Sequence, residues 1–437
     1  KIVKILSIET SCDETAVAIV EANGGFENPS FKILGNSLLS QIEIHKEYGG
    51  VFPSLAKREH AKNLVPLLEN TLKQFGFHLE AELPSKISDV KIKEIEKILE
   101  RESGLFEKLK ELLLKIEIPN IDAIAVTYGP GLEPALWVGL NFAKALSIAW
   151  NKPLIPINHM EGHIFSVLMH EKNKFPISNL STYGRSPEGR QFPMISLLIS
   201  GGHTELVLIK DWLDYEIIGQ TRDDAVGEAF DKVARMLGLP YPGGPYISAL
   251  AEMSRINADK KSQINADENL HKSAPCLRKS ASNLRSSATF RFPRPMINSD
   301  NFDFSFSGLK TFVLYKIKKS PELTNRIKKE IAREFEDAVV DVLISKTKKA
   351  LQKYNAKTLI IGGGVVANKQ IRQEFTKLAE KQNIKLMLPE NSLSTDNAVM
   401  IGIAGYFRYL TCPSIGVENK KTSNNFKNLS AQGNLKL

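Results

Sequence analysis

Ile5-Leu-Ser-Ile-Glu9, Thr10-Ser-Cys-Asp-Glu-Thr15 and Ala16-Val-Ala-Ile-Val20 follow one another directly and read as a strand, a polar turn and a second strand. Short β-branched runs on either side of a turn-forming cluster give that reading. The same figure returns at Ile195-Ser-Leu-Leu-Ile-Ser-Gly-Gly-His-Thr-Glu-Leu-Val-Leu-Ile209, now with a Gly-Gly turn. The first turn offers hydroxyls and carboxylates, chemistry suited to phosphates and their metal ions. Read alone, it is equally an ordinary polar hairpin turn.

Further strands and helices follow each hairpin. After the first come a strand over Ile33–Ser40, a loop over His45–Gly50 and a helix with apolar spacing over Ser54–Phe75, on which His60 reads as a packed or surface histidine. A strand over Ile121–Thr127 then enters Gly129-Pro-Gly131 and a helix over Leu136–Trp150. After the second hairpin come a helical run from Ala225 to Leu237, the Tyr241-Pro-Gly-Gly-Pro245 turn and helices over Ile327–Lys353. Last, the strand Thr358–Ile361 runs into Gly362-Gly-Gly364 and another helix, an arrangement that can cradle a nucleotide. This duplication predicts an α/β protein of two mixed-sheet lobes, the actin/sugar-kinase/Hsp70-like (ASKHA) architecture with a nucleotide between the lobes. The expected division is an N-terminal lobe over 1–120 and a C-terminal lobe over 121–410. A charged helical hairpin is inserted near 80–116, a polar excursion spans Leu168–Gln191, a low-complexity insertion spans 254–298, and 411–437 is a flexible basic tail.

The 437 residues, 42% hydrophobic and 24% charged, suit a globular protein with substantial cores. Three scattered cysteines exclude a disulfide framework and a cysteine zinc site. The most apolar stretch, Ala135–Trp150, is broken by Lys144. Glu9, Asp13 and Glu14 near the start argue against a signal peptide, so a cytoplasmic protein is expected. The net charge of +9 is uneven: residues 255–298 contribute +6, residues 419–437 contribute +4, and the rest carries −1. Charge alone therefore supports nucleic-acid binding only weakly.

Ile157-Asn-His-Met-Glu-Gly-His163 places two imidazoles four residues apart where a strand gives way to a helix, close enough to hold one metal ion. Asp396, in the loop Ser394-Thr-Asp-Asn397, offers a carboxylate to complete an open site. Solvated or capping histidines are the alternative. A zincin needs Glu immediately after the first His, and here that place is Met160.

Nine segments stand in one order: Ser7–Thr15, Gly129–Leu132, His159–His163, Ser200–Thr204, Gly227–Lys232, Tyr241–Pro245, Phe306–Thr311, Gly362–Asn368 and Ser394–Ala398. Together they resemble the TsaD family of tRNA threonylcarbamoyladenosine transferases from Lys4 to about Tyr409, interrupted by the insertions above. The resemblance implies transfer of a threonylcarbamoyl group from threonylcarbamoyl-AMP to the exocyclic amine of adenosine 37, in tRNAs reading codons that begin with A. It also implies one bound divalent metal, iron or zinc, at His159, His163 and Asp396. The family's adenylate-binding positions map onto Leu198, Ile199, Ser200, Gly201, Gly202, Asp231, Gly244 and Asn368. Two partner subunits are implied, a shortened paralogue of the same fold and a small P-loop ATPase. Asp13 and Glu14, on the loop facing the site, are candidate proton acceptors or metal-shell groups, with a structural or partner-coupling role as the alternative. Glu133-Pro134 departs from the small residue and glycine that many bacterial members carry there. Two rival readings remain: an ATPase or phosphotransferase of the same fold, and a non-catalytic scaffold paralogue.

Overall fold

The structure, a computed structural model, describes residues 1–77, 87–102, 104–169, 192–270, 291–320, 322–411 and 428–437, with the helical backbone alone described over 257–270. In chain order the first elements are β1 (Val3–Glu9), β2 (Glu14–Asn23), β3 (Ser30–Ser40), α1 (Ile42–His45), α2 (Pro53–Gln74), α3 (Asp89–Leu99) and α4 (Leu105–Lys115). They are followed by β4 (Ala123–Gly129), α5 (Glu133–Trp150), β5 (Leu154–Asn158) and α6 (His159–Phe165). The second half has β6 (Met194–Ile199), β7 (Thr204–Asp211), β8 (Asp214–Gln220), α7 (Val226–Met236), α8 (Gly243–Leu270) and α9 (Ser307–Lys319). It closes with α10 (Asn325–Lys353), β9 (Thr358–Gly362), α11 (Lys369–Gln382), β10 (Lys385–Met387) and α12 (Ala398–Thr411).

Two five-stranded sheets form, ordered β3-β2-β1-β4-β5 and β10-β9-β6-β7-β8. In each, the opening hairpin and the next strand pair antiparallel, and the two later strands join in parallel on the other side. Strand for strand the second sheet repeats the first, which is the duplicated two-lobe α/β architecture expected. The boundary expected at residue 120 does not coincide with the sheets. β4 and β5 pair into the first sheet through Ile5–Ala123 and Ile124–Leu154, so the sheets divide between Asn158 and Met194.

Three cores result. α2, α3, α4 and α5 cover one face of the first sheet, and α5 is buried nearly all round because Leu136, Val138, Phe142 and Ile148 point to different sides of it. α7, α8, α9 and α10 cover one face of the second sheet, around Phe230, Phe304 and Phe335. Between the sheets lies a third core in which α6 and α12 are sandwiched: Met160, Ile164, Met400 and Phe407 meet Val20 from one sheet and Leu198 and Val207 from the other. That placement brings two sequence-distant helices to the molecule's centre. Among the described residues no helix is long and apolar enough to cross a membrane.

Three further expectations meet the structure. α3 and α4 form the charged helical hairpin, its residues 78–86 lying outside the described residues. The insertion at 254–298 is not loop throughout, since α8 continues to Leu270 and Phe292 is buried in the second-sheet core; residues 271–290 lie outside the described residues, as do 170–191. The tail expected to be flexible returns to the fold over 428–437, where Leu429 O accepts from Lys144 Nζ at 2.6 Å and Gln432 N donates to Tyr128 O at 2.8 Å. A buried ammonium on an otherwise apolar helix explains this anchoring, because Lys144 needs an acceptor.

His60 on α2 is a packed histidine. Its Nε2 donates to Cys12 O at 2.9 Å and its Nδ1 accepts from Thr15 Oγ1 at 2.8 Å, which pins α2 to the β1–β2 turn. Burial lowers its pKa from 6.5 to about 4. The unfolded chain therefore takes up a proton that the folded one refuses, and the stability this neutral imidazole provides is complete above pH 6.5 and lost as pH falls toward 4. Urea unfolding is expected to show up to about 3 kcal/mol of this loss across that window. His60→Gln should flatten the slope relative to wild type, and parallel slopes would show that His60 is not its source.

Candidate metal centre and substrate cleft

β5 ends at Asn158, whose Oδ1 accepts from Met160 N at 2.9 Å and so starts α6 with an N-cap. The cap sets the helical register that turns His159 and His163, one turn apart, toward the same point. The loop before α12 is fastened likewise: Asn397 Oδ1 accepts from Met400 N at 2.9 Å, and Arg372 donates to Ser394 Oγ at 2.9 Å. Asp396 projects between these anchors. Its Oδ1 lies 3.3 Å from His159 Nε2 and 3.2 Å from His163 Nε2, and one ligand atom from each residue lies within 4.8 Å of the others.

The donor set fits a divalent cation. Edges of 3.2–3.3 Å are those of a coordination polyhedron with bonds of about 2 Å. Both His163 ring nitrogens are buried without an aligned hydrogen-bond partner, although Nε2 is close to the carboxylate. Such an orphan is costly unless something accepts its lone pair. Burial lowers the His163 pKa, leaving a neutral imidazole ready to ligate. Around His159 the field is different: burial opposes its charge, but Asp396 and Glu9 together raise its pKa well above the ordinary value. The pocket favours positive charge at this point.

Sequence reasoning passed over Glu9 as a site residue. It ends β1 fully buried, accepting from Ser11 N and Thr127 Oγ1, both at 2.5 Å, and its Oε2 lies 3.1 Å from His159 Nδ1. Burial pushes its carboxyl up, but the His159 charge and hydrogen bond outweigh that and hold it below the usual range. Ser11 Oγ, 3.2 Å from the same nitrogen, completes the support. With Nδ1 engaged, Nε2 is the nitrogen offered to a metal. A carboxylate closing an apolar strand was the available signal. Glu9→Gln is expected to weaken metal affinity about 10- to 100-fold, measured by competition with a chromophoric chelator. An unchanged affinity would remove Glu9 from the site.

Glu161, between the two histidines in sequence, points the other way. It accepts from Tyr215 Oη at 2.9 Å and from Arg408 Nε at 3.0 Å, which binds α6 to α12. It is no zincin base.

The remaining candidates are spread over both lobes. Asp13 and Glu14 are nearly buried on the β1–β2 turn. Burial, then Asp13 and Asp396, raises the Glu14 pKa well above the carboxylate range. On the β6–β7 turn Ser200 N donates to His203 O at 2.9 Å and His203 N to Ser200 Oγ at 3.1 Å, so His203 closes the turn. Leu198 and Ile199 point their side chains into cores and offer only backbone. Gly201 and Gly202 face open space. The glycine turn after β9 packs on this one: Gly363, at φ +96°, approaches so closely that a Cβ would stand 2.4 Å from Ile199 O. On α7, whose Gly227 N donates to Ser200 O at 3.2 Å and so packs on the β6–β7 turn, Asp231 Oδ1 accepts from Gly243 N at 2.7 Å, and Gly244 is open. The Asn368 side chain is committed within the protein: Nδ2 donates to Ser248 Oγ and Glu336 Oε1 at 2.7 Å each, and Oδ1 caps α11 through Ile371 N at 2.9 Å. The structure thus gathers His159, His163 and Asp396 at one point, with Glu14 and His203 in electrostatic range of that cluster and Asp231 in range of Asp13.

The family description "TsaD: tRNA N6-adenosine threonylcarbamoyltransferase" matches residues 32–82 and 104–403. The chain is 40% identical to the tRNA N6-adenosine threonylcarbamoyltransferase of Thermosipho africanus, over 93% of this chain and 94% of that one. It is 39% identical to the protein of the same name from Staphylococcus carnosus, over 93% and 91%. Full-length HypF, in its phosphate- and nucleotide-bound form, superposes with a TM-score of 0.47 at 10% identity, over 94% of this chain and 56% of that one.

Proposed function

Since this chain belongs to the TsaD family of tRNA N6-adenosine threonylcarbamoyltransferases, we propose that it moves a threonylcarbamoyl group from threonylcarbamoyl-AMP to N6 of adenosine 37, in tRNAs reading codons that begin with A. The observation that carries this reading is the two-histidine, one-aspartate cluster between the two sheets, its histidines buried and Asp396 partly exposed. A phosphotransferase of the same architecture has no need of the histidine pair, and a scaffold has no reason to bury two orphaned imidazole nitrogens. The carboxylate triad partner suits iron first and zinc second. The proposal includes a cytoplasmic setting, a shortened paralogue subunit and a small P-loop ATPase.

His159, His163 and Asp396 would hold the metal, which supplies charge to polarise the donor carbonyl. The chain's own groups do the rest. Backbone N–H groups at Gly201 and Gly202 bind the donor phosphate, Asp231 Oδ2 accepts from ribose hydroxyls, and the Gly364–Asn368 backbone flanks the adenine. N6 of the acceptor attacks the carbonyl carbon, the new C–N bond forms as the C–O bond to phosphate breaks, and AMP leaves. Asp13 or Glu14 takes the proton released from N6. The raised Glu14 pKa suits a group that must accept a proton near neutral pH.

The test is transfer from threonylcarbamoyl-AMP to unmodified tRNA with partner subunits supplied, read by nucleoside mass spectrometry. Modified adenosine is expected. No product with active partners, together with metal-independent phosphate transfer from ATP, would replace this reading with the phosphotransferase one.

A further inference from the structure

The loop between α1 and α2 carries an aromatic pair that is left half exposed among the described residues. Tyr48 is 59% exposed and Phe52 50%, yet their rings stack on each other with centroids 5.6 Å apart and planes 21° from parallel. The pair is held in place rather than loose. Phe52 N donates to His45 Nδ1 at 3.3 Å, His45 Nε2 lies 3.2 Å from Gln41 Oε1, and Gln41 N, just ahead of α1, donates to Asp13 O at 2.8 Å. The loop is therefore tied to the turn that bears the candidate proton acceptors. From the second lobe Arg235 reaches across to donate to Gly49 O, beside Tyr48. Tyr246, at the start of α8 and 39% exposed, comes within electrostatic range of Lys46. Exposed rings from both lobes thus lie around the Arg235–Gly49 contact.

We propose that Tyr48 and Phe52 form a stacking platform for the splayed bases of the RNA substrate at the entrance to the cleft. The inference rests on the function proposed above and names how the acceptor is received. An N6 amine can reach a buried centre only if its base leaves the stack of the loop, which gives up its stacking energy. A preformed aromatic stack whose outer face is free offsets that loss without reading sequence. Arg235 adds a planar cation beside it, able to lie on a base or meet a phosphate. Lys46 is paired with Glu43 at 2.5 Å, and Glu47 is exposed on the same loop, so the mouth has no basic excess. It is built for bases more than for backbone, which sets this surface apart from a general electrostatic groove. A protein partner is the competing occupant.

The experiment uses the full chain with its partner subunits and an anticodon stem-loop RNA carrying 2-aminopurine at the acceptor position, which binds but cannot accept. Wild type is expected to change the probe's fluorescence. Tyr48→Ala with Phe52→Ala should abolish that change and raise KM for tRNA on the order of tenfold. KM for the donor and the salt dependence of RNA binding should stay as they were. Tyr48→Phe should restore both signals, since only the ring is needed. Both residues are exposed, so an unchanged Tm is expected. Wild-type transfer with an unaltered double variant overturns the platform alone. Loss of co-elution with the protein subunits, with fluorescence retained, reassigns the surface to a protein interface. Wild type that leaves tRNA unmodified takes down the proposed function and the platform with it.

Discussion

Asp396→Ala is expected to release the metal and lower threonylcarbamoyl transfer by about a thousandfold or more, since charge supplied at a developing oxyanion contributes several kcal/mol to a transition state. Among the described residues, the carboxylate is the one acidic group that reaches both imidazoles, at 3.2 and 3.3 Å. It is also the only anionic ligand of the three, so its removal leaves two neutral nitrogens, one turn apart, to compete with water for the ion. The fold should tolerate the change. Asp396 belongs to a loop whose anchors are the Asn397 cap and the Arg372–Ser394 contact, not the carboxylate itself. Metal content by mass spectrometry, thermal unfolding and nucleoside analysis of the tRNA product separate the possibilities. Full metal content with wild-type transfer would mean that the cluster is not the catalytic centre. Lost metal with undiminished transfer would make the ion structural.

The duplication and the histidine pair were legible because each rests on local pattern, whereas Asp396 stood as a candidate carboxylate that the family resemblance joined to them. Strand–turn–strand periodicity marked β1–β2 and β6–β7, and an H-x-x-x-H where a strand meets a helix needs only one helical turn to converge. What escaped the sequence depends on pairing across long separations. β4 and β5 carry the same apolar signature in either lobe, and only their hydrogen-bonding to β1 assigns them to the first sheet, which moves the boundary from 120 to beyond Asn158. Glu9 read as a strand residue because its partner, His159, lies 150 positions later. The docking of residues 428–437 had no periodicity to announce it; it follows from Lys144 needing an acceptor where the apolar helix α5 buries it. Asn368 shows the reverse case. A motif position read as ligand-facing has its side chain taken up by α11, Ser248 and Glu336, which leaves the backbone to meet a ligand.

Arg408→Ala is expected to destabilise the fold by about 3–5 kcal/mol, the cost of stranding a buried charge. Glu161 has no exposure, and Arg408 closes on it through Nε at 3.0 Å and Nη2 at 2.9 Å. Burial already raises the Glu161 pKa, with Arg408 and Tyr215 opposing the shift. Without the guanidinium that restraint goes, and the folded variant should hold a proton at Glu161 that the unfolded chain gives up. For a carboxyl raised in the folded state, stability is present below its unfolded pKa and lost as pH rises through the folded one. The deficit of the variant should therefore be smaller at pH 4.5 than at pH 7.5. Replacing both members, Glu161→Gln with Arg408→Met, should recover most of the loss, because a pair removed together leaves no unpaired charge. The same contact joins the helix bearing His159 and His163 to the one that follows Asp396, so the single variant should also bind metal more weakly, and the double variant less so. A single variant with wild-type stability at both pH values would show that the pair is a passive contact, and that packing among Met160, Met400 and Phe407 alone holds the two helices in register.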